Sequence, residues 1–339
     1  MGRIVAVTNL KGGIGKTTTV VNLSAGLALR GSHVLLIDVD AQGNLAMALG
    51  VEPRRTLYDV LVDGATIADC VSNARPNLDL VAANESLLTA QPEIARRPDW
   101  ARVLEKALQP VRSRYDVIII DCGGSLTVLN LNALNAATDV LVPTTVEPFS
   151  LKGLEMLIEQ IRRVKGSQGA LRAILPTMYD ARTRQSVDLL ESLRARYGDL
   201  VLSPIRVNVR LSECSAHGKT IYEYDPRSRG AVDYALLVER LSERMNIGTA
   251  PTSPVPARPA RQIPPPPRIP RDPAPVPPAS PPRPASVEPP VVTGAGSMLT
   301  SNCPNCGRDL QRATVAGYRV AYCDHCKYRR QDLAAGGRR

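Results

Sequence analysis

One nine-residue stretch constrains this chain more than any other: Lys11–Thr19, reading K-G-G-I-G-K-T-T-T. The apolar run Ile4–Val7 leads into it, and a helical pattern from Lys16 to Arg30 leads out. Strand, glycine loop and helix together form the context in which a Gly-rich loop binds phosphate. Gly12, Gly13 and Gly15 carry no Cβ, so their backbone N–H groups can turn inward on an anion. A helix starting at Lys16 adds the positive end of its dipole. Lys16 falls where a lysine meets the β- and γ-phosphates, and Thr17 where a hydroxyl meets Mg²⁺. The usual G-x-x-x-x-G-K-[ST] pattern is not met, because Leu10 occupies its first glycine position. A second cation, Lys11, stands at the mouth of the loop instead. The loop is expected to bind a nucleotide.

The chain has 339 residues, enough for one large α/β domain and something smaller. No apolar run approaches the length of a membrane span, and the N-terminus lacks a signal-peptide layout. Four of the seven cysteines lie together near the C-terminus in metal-site spacing, which points to a soluble, reducing, cytoplasmic setting. The net charge of +10 suggests an anionic partner, but it is unevenly spread. Residues 1–246 hold 29 Lys/Arg against 27 Asp/Glu, and residues 247–339 hold 13 against 5. Most of the electrostatic pull therefore belongs to the C-terminal part, although four zinc-bound thiolates would offset some of it.

Along the chain, buried strands are expected at Val34–Ile37, Leu78–Val81, Val117–Ile120, Val140–Pro143, Ala173–Leu175 and Val201–Val207. Helical patterns cover Asp99–Val111, Leu126–Ala137, Leu151–Val164, Arg184–Tyr197 and Ala231–Met245, with two short helices in Thr56–Val71. Strands alternating with helices predict a doubly wound, mostly parallel α/β sheet with chemistry at the C-terminal ends of its strands. Asp38 and Asp40 follow one apolar strand and Asp121 another, where that chemistry is expected. The alternation defines a domain over residues 1–246. Residues 247–298 are rich in Pro, Ala, Val, Ser and Arg and read as a semi-extended, disordered linker, with docking of a polyproline-binding domain as the alternative.

Residues 299–334 contain Cys303-Pro-Asn-Cys306 and Cys323-Asp-His-Cys326, separated by sixteen residues. This C-x₂-C-x₁₅₋₂₀-C-x₂-C spacing suits tetrahedral Zn²⁺, with a rubredoxin-type iron centre as the alternative. Gly307 stands where the knuckle needs a residue free to take φ > 0. So short a segment has little core of its own, so metal binding should supply most of its folding energy. Four thiolates with no open position argue for a structural ion rather than a catalytic one.

The loop with its extra Lys11 resembles the deviant Walker A loop of the ParA/MinD ATPases. Later stretches are similar to the ParA/Soj partitioning branch in particular: Leu36–Leu45, Tyr115–Leu126, Thr177–Thr183, Asn208–Gly218 and Tyr224–Ala231. The resemblance runs from about residue 2 to 245. It implies a P-loop NTPase fold and slow, partner-stimulated ATP hydrolysis. Two ATP-bound protomers close face to face in that family, and the lysine matching Lys11 reaches the partner's phosphates. By the same resemblance, residues Gly12, Gly13, Ile14, Gly15, Lys16 and Thr17 cradle the phosphates, and Thr18 caps the α-phosphate. Asp40 activates the attacking water, Asp38 and Asp121 hold the Mg²⁺ shell with Thr17, and Asn208 lies at the adenine.

The resemblance further implies non-specific binding of double-stranded DNA, which places the protein on the nucleoid, and a ParB-like protein that stimulates hydrolysis. Arg210 matches the family position most often linked to DNA. Arg182, Arg184, Arg194, Arg196, Lys219, Arg227 and Arg229 are further candidates within a stretch of nine Lys/Arg and six Asp/Glu. Such contacts would carry no sequence preference and would weaken steeply with salt. The chain departs from the family pattern at Ala41, at Gly123-Gly124 where Pro-Pro is usual, and at Arg206 in a proline position near the adenine. None of these removes a charged group that the chemistry needs.

A MinD-like membrane-positioning ATPase is the first alternative, but that reading needs a C-terminal amphipathic helix. Here the helical pattern runs into prolines instead. A second alternative makes the ATPase a switch and the zinc ribbon the module that recruits a protein or nucleic-acid cargo. Arg308, Arg312, Arg319, Lys327, Arg329 and Arg330 beside Tyr318, Tyr322 and Tyr328 suit nucleic acid. An iron–sulfur carrier would want paired cysteines at a dimer face, whereas Cys122 and Cys214 are isolated in sequence.

Overall fold

Short runs of Val, Ile and Leu bounded by polar turns can bury both faces only inside a layered sheet, and the computed structural model has that form. It describes residues 2–166, 170–248, 303, 306–315, 318–323 and 329–332. The first elements are β1 (Arg3–Val7), α1 (Lys16–Leu29), β2 (Val34–Asp38), α2 (Asn44–Leu49), α3 (Leu57–Leu61) and α4 (Ile67–Cys70). Then come β3 (Ser72–Arg75), β4 (Leu78–Val81), α5 (Leu87–Ala95), α6 (Val103–Leu108), β5 (Val117–Asp121), α7 (Val128–Ala136) and β6 (Asp139–Thr145). The unit closes with α8 (Pro148–Lys165), β7 (Leu171–Thr177), α9 (Arg184–Tyr197), α10 (Val209–Ala216), α11 (Ile221–Tyr224) and α12 (Arg229–Met245).

The seven strands lie in the order β3-β4-β2-β5-β1-β6-β7. Every pairing is parallel except that of β3 with β4. Period-two alternation splits each central strand between two cores. Ile4 and Ala6 of β1 join α3 to α8 on one face, while Val5 and Val7 join α1, α2 and α10 to α12 on the other. Helix α1 is buried almost all round because it sits between the sheet and α12. An ideal Cβ on Gly26 would lie 2.5 Å from Val238 Cγ2, so this approach of α1 to α12 requires glycine.

The expected strand over Val201–Val207 forms isolated bridges instead, Ile174 to Val201 and Tyr179 to Arg206. Leu202 donates to the Ile174 carbonyl, Ile205 to that of Pro176 and Val207 to that of Tyr179. The segment therefore lies extended along β7 without a continuous ladder. Pro176 and Pro204 each lack the N–H that regular pairing would need. Asp99–Val111 is also divided, into a single tight turn over Trp100–Arg102 and then α6. Helices α2, α10 and α11, of four to eight residues, were absent from the sequence pattern, as was α5, whose internal Pro92 interrupts the helical signal.

The chain divides into two compact units, Met1–Arg261 and Gln262–Arg339. In the second, β8 (Gln311–Val315), β9 (Tyr318–Tyr322) and β10 (Arg329–Asp332) form an antiparallel sheet with β9 in the centre. Beyond Gly248 the expected linker lies outside the described residues, as do Cys326 and the end of the expected ribbon.

Candidate functional site

Parallel pairing brings the C-terminal ends of β1, β2 and β5 to one edge, with Asp121 in register with both Val7 and Asp38. The loop from Thr8 to Gly15 springs from this edge and turns into α1. Gly13 and Gly15 take φ of 70° and 86°, which an L side chain rarely adopts. Two contacts that sequence reasoning missed hold the loop from the far side. Asn9 donates from Nδ2 to the Pro143 carbonyl at 2.7 Å and accepts the Lys11 N–H at 3.2 Å. Thr177, at the end of β7, donates to the Ile14 carbonyl at 2.8 Å. Both are short polar residues at strand ends, where a parallel sheet presents its ligand chemistry.

Gly12 to Thr18 line one end of a cleft of about 570 Å³, with Asp40, Asn44 and Gly124 beside them. Lys16 is buried, and its Nζ donates to the Lys11 carbonyl at 2.9 Å. Burial lowers its pKa, and the negative charges of Asp121 and Asp40 oppose that effect. Thr17 donates its hydroxyl to Asp121 Oδ2 at 2.7 Å. The other oxygen of this carboxyl, Oδ1, is buried with no hydrogen-bond partner among the described residues. Burial raises Asp121 to about 7, against the Thr17 hydrogen bond and the charge of Lys16.

Asp38 is fully buried, and its pKa is pushed well above the usual carboxylate range by burial and by Asp121. Its two oxygens accept the backbone N–H groups of Asp40 and Leu45, at 3.0 and 3.2 Å, so it braces the turn into α2. Asp40 is half-buried and reaches the cleft, with Oδ1 accepting the Gln42 N–H at 3.1 Å. The Gly123-Gly124 departure lies against these groups. A Cβ on Gly123 would sit 3.5 Å from the Asp40 carboxyl, and one on Gly124 3.7 Å from Lys16 Nζ.

Lys11 points elsewhere. Its ammonium lies 2.6 Å from Glu147 Oε2 at the start of α8, with Ser150 Oγ at 3.2 Å and Thr145 Oγ1 at 3.4 Å. Two lysines five positions apart are thus placed differently, Lys16 inside the loop and Lys11 outside it. Glu147 precedes Pro148 at the first position of α8, a helix-start signal that carried no hint of its ionic partner.

The far end of the cleft is walled by Met178 and the 205–208 segment on one side and by Leu211, Ser212 and Ser215 of α10 on the other. Asn208 sits here as the N-cap of α10, its Oδ1 accepting the Arg210 N–H at 2.9 Å. That cap, an Asn immediately before V-R-L-S-E-C-S-A, was the available signal for the missed helix. Tyr234 also lines the cleft, its hydroxyl 3.2 Å from Thr19 Oγ1.

The basic candidates fall into two groups, one on and just before α9 and one along residues 210–229. Arg210 is paired with Glu213 at 2.7 Å and Asp225 at 3.6 Å. Arg182 forks onto Asp180, Arg184 lies 3.7 Å from Asp188, and Arg196 pairs with Glu155. Arg194, Lys219, Arg227 and Arg229 are exposed and have no ion pair among the described residues. In the second unit, the thiols of Cys303, Cys306 and Cys323 lie within 4.8 Å of one another. Cys306 Sγ and Cys323 Sγ are 3.5 Å apart. Gly307 takes φ of 72°, and its N–H donates to the Cys303 carbonyl at 2.8 Å.

The AAA domain family matches residues 2–173. The sporulation initiation inhibitor protein Soj of Bacillus subtilis (strain 168) is 42% identical over 250 residues, spanning 71% of this chain and 99% of that protein. The chromosome partitioning protein ParA of Caulobacter vibrioides (strain NA1000 / CB15N) is 39% identical over 252 residues, spanning 71% and 94%. The chain is a ParA/Soj-type ATPase. Among solved structures, this ATPase is similar to cobyrinic acid a,c-diamide synthase from Mycobacterium smegmatis with bound ADP and magnesium. The TM-score is 0.63 at 32% identity, covering 73% of this chain and 97% of that one.

As an ATPase the chain uses ATP, and magnesium accompanies the nucleotide in that solved structure. The residues present fit that ion: the Thr17 hydroxyl and Asp121 Oδ1, which has no partner among the described residues, offer hard oxygen donors beside the loop. Held by these groups, Mg²⁺ would supply positive charge to offset that of the phosphates. Among the described residues, no helix is long and apolar enough to cross a membrane.

Proposed function

We propose that this ATPase dimerises when it binds ATP, binds double-stranded DNA without sequence preference on the nucleoid, and is released when a ParB-like partner stimulates hydrolysis. Such a cycle would segregate replicons or position another cargo. The observation that carries it is the division of labour between the two lysines. Lys16 turns into its own loop, where its Nζ donates to the Lys11 carbonyl beside the cleft, while Lys11 projects from the loop onto Glu147. A cation with no intramolecular phosphate to meet is suited to a nucleotide held by a second copy, which makes dimerisation depend on ATP.

In this reading, backbone N–H groups of Gly12 to Lys16 hold the β- and γ-phosphates, and Thr18 holds the α-phosphate. Thr17 and Asp121 hold Mg²⁺ directly. Asp38, with both oxygens occupied by backbone N–H groups, positions Asp40 for the attacking water. Asn208 meets the adenine. Arg227, Arg229 and Lys219, which have no acidic partner among the described residues, join Arg210 on the DNA. Arg210 must first exchange Glu213 and Asp225 for phosphate, whereas the α9 arginines form a second, separate group. Cys303, Cys306, Cys323 and Cys326 hold one structural Zn²⁺, supported by the three thiols already gathered in the described part of that unit. The zinc unit is an accessory module for a ligand of its own.

The test is a gel-shift on non-specific duplex DNA at several salt concentrations, with ADP–Mg²⁺ and ATP–Mg²⁺ in parallel. It uses the full chain and its Lys11→Ala, Asp40→Ala and Arg210→Glu variants, with anionic vesicles as a control. Binding that requires ATP, persists in Asp40→Ala and disappears in Lys11→Ala supports the cycle. Binding that ignores nucleotide would move DNA recognition to the zinc unit, and vesicle binding without DNA binding would point to a membrane-positioning ATPase.

A further inference from the structure

Away from the nucleotide cleft, one arginine joins more segments than a surface ion pair does. Arg75, at the end of strand β3 on the sheet's edge, commits all five of its guanidinium donors. Nε and Nη2 fork onto the two carboxyl oxygens of Glu223 in α11, and Nη2 also donates to the Gly218 carbonyl at 2.9 Å. Nη1 donates to the carbonyls of Leu49, at the end of α2, and of Ala74, at 3.1 and 2.6 Å. A guanidinium with every donor engaged has none left for a ligand. Its planar fork instead holds β3, α2, α11 and the turn before α11 in one fixed arrangement.

The joint is tight on the α2 side. Gly50, just past α2, and Gly218 meet backbone to backbone: a Cβ on Gly218 would lie 2.9 Å from Gly50 Cα. Both take positive φ, 64° and 62°, so neither position accepts a side chain without strain. The other end of α2 meets the Asp38–Asp40 turn. Asp38 accepts the N–H groups of both Asp40 and Leu45, and Asn44, the first residue of α2, lines the cleft beside Asp40. A shift of this six-residue helix therefore reaches Asp40 directly.

The other side of the joint is the basic segment 210–229. Arg210 pairs with Glu213 and Asp225, and the Tyr224 hydroxyl donates to Glu213 at 3.2 Å. Glu223, which Arg75 grips, is the immediate neighbour of Tyr224, and its Oε2 also accepts the Thr220 N–H at 2.8 Å. Lys219 directly follows the Gly218 carbonyl that Arg75 holds. At its core side α11 has a buried anchor: the Ile221 N–H donates to Asn22 Oδ1 of α1 at 2.8 Å, and Asn22 Nδ2 donates to the Thr18 carbonyl. The tie to α2 is the more exposed one, at 26% for Arg75 and 38% for Glu223. A phosphate that draws Arg210 away from Glu213 and Asp225 unloads α11 on one side, and the Arg75 fork passes that change to α2.

We propose that Arg75 is a positioning residue for ATP hydrolysis: it links duplex DNA held on the 210–229 segment, through α2, to the Asp40 turn, so that DNA raises the hydrolysis rate through this guanidinium. The inference rests on the proposed DNA binding by that segment and on Asp40 as the residue of the attacking water.

The test is the steady-state ATPase rate of the full chain with Mg²⁺, measured with and without saturating non-specific duplex DNA. Wild type, Arg75→Gln, Arg75→Lys and Glu223→Gln are compared, and each variant is melted to verify folding. The readout is the ratio of the two rates, because a merely structural fault lowers both alike. DNA should raise the wild-type rate, and Arg75→Gln should lose more than half of that increase. Its DNA affinity with ATP should stay within about threefold of wild type, since a side chain with every donor engaged makes no DNA contact. Arg75→Lys keeps the charge without the fork and should recover less than half of the loss. Glu223→Gln should give an intermediate ratio, and it decides the matter together with Arg75→Lys if Arg75→Gln does not fold. A wild-type ratio retained in the folded variants would overturn the role of Arg75 and leave the DNA-binding reading standing. So would a wild type that binds DNA with no change in rate. A wild type that binds no DNA would instead remove that reading, and this inference with it.

Discussion

At the scale of single residues, burial decides which of two like groups does which work. Lys16 is 8% exposed and held between its own loop and two carboxylates, whereas the side chain of Lys11 is 42% exposed and meets Glu147. Lys16→Ala should therefore weaken ADP binding about tenfold more than Lys11→Ala does, because it removes a desolvated charge from the phosphates of the same chain. Size-exclusion chromatography with ATP should show the dimer missing in both variants. Asp139 shows a second use of buried charge. Its carboxylate is fully buried at the start of β6, with Arg3 Nη1 at 3.3 Å and Arg172 at 2.6 Å. Replacing it with Ala strands two arginines that are each about one-third exposed. Urea denaturation should show a loss of about 2–3 kcal/mol, below the full value for a wholly buried pair.

At the scale of elements, packing of α1 against α12 fixes the site, because α1 carries the phosphate loop and α12 carries Asp233 and Tyr234. Gly26→Ala puts a methyl 2.5 Å from Val238 Cγ2 and 2.8 Å from the Tyr222 hydroxyl. Thermal melting should register about 1–3 kcal/mol of destabilisation from this overpacking. In α10 the dependence runs through a cap. Asn208→Ala removes the acceptor for the Arg210 N–H and should cost about 1 kcal/mol, measurable by denaturant titration alongside weaker ADP binding. These elements differed in how legible they were. The apolar strands at Val34–Ile37 and Val117–Ile120 could be read from composition, because a strand buried on both faces needs no partner to explain it. Helix α10 could not, since its eight residues give too few turns for a periodic signal and Leu211, Ser212 and Ser215 line the cleft. The stretch Val201–Val207 looked like a strand from its β-branched residues, and the prolines on both sides of the pairing prevented a ladder.

At the scale of the whole molecule, the two compact units should respond independently to loss of metal. A zinc-selective chelator should release about one equivalent of Zn²⁺ from the full chain, read by a colorimetric indicator. The thermal transition of the ATPase unit should stay unchanged, because among the described residues both of its cores are built from the first unit. A coincident fall in that transition would show that the ion stabilises more than the cysteine unit.

By itself the sequence determined the phosphate loop, the parallel α/β sheet, the acidic residues that follow its strands and the cysteine framework. These are local patterns, set by backbone geometry, strand burial and ligand spacing. What required the tertiary structure were the contacts between residues far apart in the chain. Thr17 meets Asp121 across 104 positions, Lys11 meets Glu147 across 136, and Arg206 meets Asp233 across 27. The partner of each charge depends on which strands lie side by side and which helix covers them. Nothing in the spacing of Lys11 showed that Glu147 would hold it, and nothing around Arg206 showed that a carboxylate on α12 would set its plane. Tertiary packing decided both, because parallel crossovers and the seating of α12 bring together residues that lie far apart in the chain.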